Sequence, residues 1–261
     1  MLGAPEKVIA VVFLLPDCDM GCSFCGSDLG FDRMRFDQAV ELFRRLWAAG
    51  YQNLVLGGGE PALWRDGPRQ LGDLAAAAKA LGFLVQVNTN ALRLPETPGA
   101  SYLDWAGVDR FILPLDGAGA AEHDRLRIVL GRTPGGHFER IERRVRECTA
   151  AVRELTFGTV LTADNVAQID GLIERLRARA AAGARIHAWH LYRFQPVGRG
   201  GVGAAGALTL DTPTYLAACR RAKAAELPFW VYQRDDMLRP TSVEFFWYEK
   251  SQLKLGSVVW G

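Results

Sequence analysis

At 261 residues the chain is long for a β-sandwich and of ordinary length for one α/β barrel-type domain. A formal charge of +2, from 31 basic and 29 acidic side chains, gives no bulk electrostatic reason to expect a nucleic-acid or membrane-surface partner. No apolar run approaches the roughly 20 residues of a membrane span, residues 1–6 are too short for a signal peptide, and five cysteines, three of them clustered, make no disulfide framework. The expected compartment is therefore the cytoplasm, where thiols stay reduced.

Residues 7–15 form a continuous apolar run, as in a strand covered on both faces. A cysteine-bearing loop follows. Residues 36–49 then carry Phe36, Val40, Phe43, Leu46 and Trp47 at helical spacing and stop at Gly50. The same alternation continues: strand 53–56, helix 68–81, strand 83–87, a short helix at 102–105, and strand 110–115. Helix 138–152, strand 155–161, helix 166–181 and strand 186–194 come next. A glycine-rich loop at 198–206 precedes a helix at 211–225, with Asp211 or Thr212 as its N-cap. Residues 229–233, 243–248 and 252–259 read as closing strands. Strands alternating with helical segments of this length predict βαβ units and a parallel sheet. No repeat, low-complexity linker or domain boundary interrupts the pattern, so one domain is expected over 1–261, with a core at about 7–226 and a strand extension at 227–261.

Three cysteines, Cys18, Cys22 and Cys25, stand on the loop leaving the first strand in a C-x3-C-x2-C pattern. A closed zinc site takes four ligands, and Cys148 and Cys219 are isolated within helical patterns. Three thiolates suit an iron-sulfur cube with one iron left open. Zinc binding, and a cluster serving only as electron carrier or sensor, remain alternative readings of the cysteines. At the end of the second strand, Gly57-Gly58-Gly59-Glu60-Pro61 offers a backbone that a ligand can approach closely, or is simply a turn.

With Phe24 in the aromatic place of C-x3-C-x-Φ-C, and GGGEP after the second strand, the sequence resembles the radical S-adenosylmethionine (SAM) superfamily. The resemblance implies a partial (β/α)6 TIM-like barrel with extra C-terminal strands, its site at the C-terminal strand ends. It implies a [4Fe–4S] cluster held by Cys18, Cys22 and Cys25, with SAM on the fourth iron. It also implies reductive cleavage of SAM to a 5′-deoxyadenosyl radical that abstracts hydrogen from a small-molecule or peptide substrate. A flavodoxin- or ferredoxin-type protein is the implied electron donor.

Carried over residue by residue, Phe24, Gly58, Gly59, Glu60, Asn90, Asp116, Thr162, Asn165 and Val197 are expected near SAM. Two motifs depart from the family pattern: Ala91 replaces the glycine of T-N-G, and Pro114 replaces the serine of S-L-D-G. Thr162 or Asp164 can also cap the following helix, and the two roles are compatible. His123-Asp124-Arg125-Leu126-Arg127 resembles an H-D-x-x-R element of peptide- and cofactor-maturing members, with Arg127 either a site residue or an ion-pair partner. His190, Arg193 and Arg199 are candidate substrate contacts, since a guanidinium pairs with carboxylate or phosphate through two hydrogen bonds. Arg199 can alternatively brace the adenine-side turn. No catalytic acid, base or hydrogen donor is assigned. The absence of cysteines after Cys219 implies a single cluster. A viperin-like nucleotide-modifying enzyme is the runner-up within the class.

Overall fold

The structure is a computed structural model that describes residues 9–27, 30–131, 136–235 and 243–256. In chain order it contains β1 (Ile9–Phe13), α1 (Phe36–Ala48), β2 (Asn53–Gly57), a small hairpin of β3 (Arg65–Asp66) and β4 (Arg69–Gln70), α2 (Leu71–Leu81), β5 (Leu84–Asn88) and β6 (Arg110–Pro114). Then come α3 (Ala120–Leu126), α4 (His137–Ala150), β7 (Glu154–Leu161), α5 (Ile169–Ala181), β8 (Arg185–Arg193), the single turns α6 (Gly198–Gly201) and α7 (Ala205–Leu208), and α8 (Thr212–Lys223). Strands β9 (Trp230–Arg234), β10 (Val243–Glu249) and β11 (Gln252–Gly256) follow. Residues 7–8 and 257–259 of the expected first and last strands lie outside the described residues.

Nine strands join in the order β11-β10-β1-β2-β5-β6-β7-β8-β9. Every neighbouring pair is parallel except β10 with β11. The central six are the βα units expected from the sequence. The expected extra strands do not stand apart: β10 pairs in parallel with β1, and β9 extends the opposite edge beside β8. This is the curled, partly open sheet of a partial barrel.

Strand register decides which residues share a face. Val12, Leu56, Val87, Phe111, Leu155, Phe157, Trp189 and Leu191 lie on the outer face and are wholly buried in one core under the helices. Helix α1 presents Ala39, Leu42, Phe43 and Leu46 to this core, and α2 presents Leu71, Leu74, Ala75 and Ala78. Each large apolar side chain so buried contributes roughly 1.5–3 kcal/mol. The inner face is mixed instead, carrying Gln86, Asn88, Arg110, Ile112, Gly158, Val160, His190 and Tyr192. The apolar run expected for the first strand holds on both faces, since Ile9, Val11 and Phe13 of β1 pack against Phe31, Val243 and Phe245.

Local differences have local causes. Residues 68–70 belong to the hairpin rather than to α2, and residues 166–168 wind as a 3-10 turn before α5. Helix α3 gives little periodic signal because only His123 and Leu126 of its seven residues are buried. The glycine-rich stretch contains two helical turns. Asp211 caps α8 as expected, accepting from the Thr214 amide at 2.8 Å. No helix among the described residues is long and apolar enough to cross a membrane.

Candidate metal centre

The cysteine loop leaves β1 through buried Leu14 and Leu15 and is pinned on two sides. Against the turn after β2, the Gly59 amide donates to the Leu15 carbonyl (2.7 Å) and the Glu60 amide to that of Asp17 (2.8 Å). Against the segment after α3, the Gly21 amide donates to Ile128 (2.8 Å) and the Leu130 amide to Asp19 (3.0 Å). Phe24 and Met20 sink into a satellite cluster with Leu126, Val129, Phe194 and Leu208. Phe24 therefore anchors the loop and does not line the site.

The three thiols line one cavity of about 210 Å³ at the C-terminal ends of the parallel strands. Gly58, Gly59, Glu60, Asn90 and Arg199 share its wall, with Arg127, Ile112, Val160 and Tyr192. Nitrogen donors face the sulfurs. Asn90 Nδ2 lies 3.8 Å from Cys18 Sγ, and an Arg127 guanidinium nitrogen lies 3.8 Å from Cys22 Sγ. Arg199 faces Cys25 and Cys18 while donating to the Met20 carbonyl at 2.7 Å. Burial pushes the Cys22 thiol up to about 11, and raises Cys18 also, against the pull of these donors. Buried sulfurs surrounded by donors are satisfied as thiolates when a metal supplies the compensating charge. Three sulfurs with such donors fit an iron-sulfur cube better than a closed zinc site, since Glu60, the only carboxylate among the described lining residues, is already engaged.

Glu60 is buried and accepts from Thr89 Oγ1 (2.5 Å), the Asn90 amide (2.6 Å) and the Ala62 amide (2.9 Å). Burial outweighs these bonds and pushes its carboxyl up to about 7. The neighbouring glycines answer to a backbone rather than to a ligand. A Cβ on Gly59 would stand 2.1 Å from the Asp17 carbonyl oxygen, and one on Gly58, at φ +126°, 2.6 Å from that of Leu15. The turn after β2 is pressed onto the cysteine loop, and only glycine permits the approach. Ala91, standing where the family has glycine, holds φ +64°.

Several expected contacts lie behind this wall. Buried Asp116 accepts from Arg127 Nε and from the Val160 amide, both at 2.7 Å, and so ties strand ends together. Asn165 Nδ2 donates to the Asp116 and Val160 carbonyls, and Asn165 Oδ1 accepts from the Thr162 amide at 2.8 Å. The Thr162 side chain caps no helix, since α5 has no side-chain cap. Val197 precedes α6 and lies off the cavity wall. His190 lies against Tyr192 and the Tyr232 ring, whereas Arg193 turns outward to the Leu210 carbonyl at 3.1 Å. Arg127 and Tyr192 take the places on the wall. Arg127 pairs with Asp116 only 11 positions away, but its approach to Cys22, across 105 positions of chain, leaves no local signal.

These placements separate Arg193, at the end of β8, from Arg199, in α6. Arg199→Ala is expected to lower SAM affinity or cluster retention about tenfold, the loss of a charged hydrogen bond. Arg193→Ala is expected to leave both unchanged. Iron content and uncoupled 5′-deoxyadenosine formation in the two variants check this; equal loss in both would contradict the placement of Arg193.

His123, Asp124 and His137 bring ligand atoms within 4.8 Å of one another, the spacing of a metal site. The imidazole lone pairs are taken. His137 Nε2 lies 2.8 Å from the Asn90 carbonyl, which can only accept, so Nε2 carries the proton and Nδ1 is bare. That bare nitrogen accepts from His123 Nε2 (2.8 Å), leaving His123 Nδ1 to accept from the Asp116 amide (3.1 Å). The Asp124 carboxylate accepts from the Gly136 and Phe138 amides at the start of α4. Both imidazoles are neutral, and burial holds His137 down at about 4 and His123 well below its usual value.

Depressed histidines bind fewer protons folded than unfolded, so their stabilisation is present above pH 6.5 and lost as pH falls towards 4. For His137 the loss by pH 5 is about 2 kcal/mol, or roughly 4–8 °C in a melting midpoint. His137→Gln, which does not titrate, is expected to flatten the pH dependence of the midpoint. An unchanged slope would contradict the neutral assignment.

The sequence profile of the Radical SAM superfamily matches residues 12–176. An AdoMet-dependent heme synthase of Oleidesulfovibrio alaskensis is 25% identical over 201 residues, which are 76% of this chain and 48% of the synthase. An S-adenosylmethionine-dependent nucleotide dehydratase of Lacinutrix mariniflava is 31% identical over 117 residues, 40% of this chain and 24% of that protein. The chain thus spans from about a quarter to half the length of these curated relatives. Among solved structures, Streptococcus suis SuiB bound to S-adenosylmethionine superposes with a TM-score of 0.69 at 13% identity, over 92% of this chain and 58% of that one. A radical SAM methyltransferase from Sphaerobacter thermophilus gives 0.58 at 20% identity, over 91% and 68%. The fold is shared with these proteins, the profile covers most of the barrel strands, and the chain belongs to the radical SAM superfamily.

Proposed function

We propose that Cys18, Cys22 and Cys25 hold a [4Fe–4S] cluster and that the chain cleaves SAM reductively to act on a C–H bond of a small-molecule or peptide substrate. The observation that carries the reading is the convergence of three thiols, the Gly58–Glu60 turn and two arginines on one cavity at the strand ends. When bound, the cluster supplies the electron that splits SAM into methionine and a 5′-deoxyadenosyl radical, the species that abstracts hydrogen from substrate. A flavodoxin- or ferredoxin-type protein is the proposed source of that electron.

The chain's own residues hold and shield. Asn90, Arg127 and Arg199 donate to the three sulfurs and offset their negative charge. The Gly58–Gly59 backbone and Glu60 form the wall on which the amino acid part of SAM is proposed to rest. Ile112, Val160 and Tyr192 add apolar surface to the lining, which limits water around a reactive radical. Incubation of reconstituted protein with SAM and a strong reductant is expected to release 5′-deoxyadenosine and methionine together. Intact SAM after many hours, with the cluster fully reduced, would refute the proposal.

A second reading, action on a nucleotide, draws on the likeness to the nucleotide dehydratase over 117 residues. Faster 5′-deoxyadenosine release with a nucleoside triphosphate than with peptide pools would favour it.

A further inference from the structure

We infer that His123 and His137 are positioning residues for the metal centre: a neutral imidazole pair that holds the nitrogen donors facing Cys22 and Cys18. The inference rests on the cluster reading above and adds a role for two buried side chains outside the cavity wall.

The pair bridges two strand ends. At one end the Asp116 amide donates to His123 Nδ1, while the Asp116 carboxylate takes Arg127 Nε at 2.7 Å. Arg127 then reaches Cys22 Sγ at 3.8 Å and lies over the Phe24 ring at 4.8 Å. At the other end His137 Nε2–H donates to the Asn90 carbonyl, while Asn90 Nδ2 reaches Cys18 Sγ at 3.8 Å and Asp19 Oδ1 at 2.9 Å. A chain of hydrogen bonds, continued through the Asp116 and Asn90 residues themselves, therefore runs from one sulfur, through both imidazoles, to another. The rings are wholly buried and lie nearly parallel, with centroids 5.0 Å apart and planes 22° apart.

An apolar pair would fill this volume but leave the buried Asp116 N–H and Asn90 carbonyl without these partners. Two imidazoles supply one acceptor, one internal bond and one donor in series, which is what these two backbone groups require. Hydrogen bonds to cluster sulfurs set reduction potential, and groups behind the ligands orient them. The pair is thereby coupled to the potential of the centre, not only to folding.

The test compares His123→Phe, His137→Phe and His137→Gln in reconstituted protein, reading the cluster's midpoint potential and the rate of iron loss to a chelator. Glutamine offers a neutral acceptor and donor in the imidazole's place; phenylalanine offers neither. Both Phe variants are expected to show a more negative potential and about tenfold faster iron loss, with His137→Gln matching wild type. Folded Phe variants with wild-type potential and iron loss would overturn the inference, as would a Gln variant that behaves like them. If the Phe variants do not fold, His137→Gln alone decides: a wild-type potential supports the relay, a shifted one overturns it. A wild-type protein that takes up no iron would defeat the cluster reading instead. In that protein, hydrogen exchange at the Asp116 amide still decides: protection lost in His123→Phe supports the pair's role, and protection retained overturns it.

Discussion

Replacing Cys18, Cys22 or Cys25 singly by alanine is expected to abolish the iron-sulfur chromophore and all SAM cleavage. The three sulfurs line one cavity, and each is faced by a guanidinium or amide nitrogen that only a bound, charged centre employs fully. With two thiolates left, a cube has half of its irons without a protein ligand and is open to loss. Cys148→Ala and Cys219→Ser are the controls, since those thiols face the core from α4 and α8. They are expected to cost stability, Cys148 through its contact with Tyr102, while iron content stays at the wild-type level. Iron and sulfide analysis of the five variants checks this, and a chromophore that survives any one of the three loop substitutions would contradict the assignment.

Gly59→Val should be nearly as damaging, and for a reason that the sequence motif does not contain. The glycine reads as clearance for a ligand, but a Cβ there meets the Asp17 and Pro16 carbonyl oxygens at 2.1 and 2.4 Å. Those atoms belong to the stretch that enters the cysteine loop, so valine must push the loop off its seat. Iron retention is therefore expected to fall together with SAM cleavage, whereas simple obstruction of the ligand would spare the iron. Gly206→Ala, where a Cβ meets nothing within 4 Å, is expected to be silent. Full iron content in Gly59→Val with cleavage alone lost would restore the ligand-clearance view.

The barrel was legible because its signals are local. Alternating apolar strands and helical stretches, stopped at Gly50 and Gly82, mark βα units without reference to the rest of the chain. The loop cysteines, eight positions end to end, are legible for the same reason. The faces of β8 were not, since alternation says that His190 and Tyr192 share a face but not which one. Register with β7, pairing Gly158 with His190 and Val160 with Tyr192, puts them inside and sends Arg193 out. The supporting shell was least legible. Asp116 looks like a ligand contact in the motif, yet its carboxylate is spent on Arg127 and the Val160 amide. His137, which completes the bridge to Asn90, carries no motif and becomes meaningful only when α4 packs beside α3.

A three-cysteine cluster with one iron open to SAM has a direct signature in the electron paramagnetic resonance of the reduced protein. Anaerobically reconstituted protein is expected to hold about four irons per chain, and its reduced signal is expected to change on adding SAM. Stoichiometric zinc without iron, or a reduced cluster whose signal is indifferent to SAM, would contradict the account.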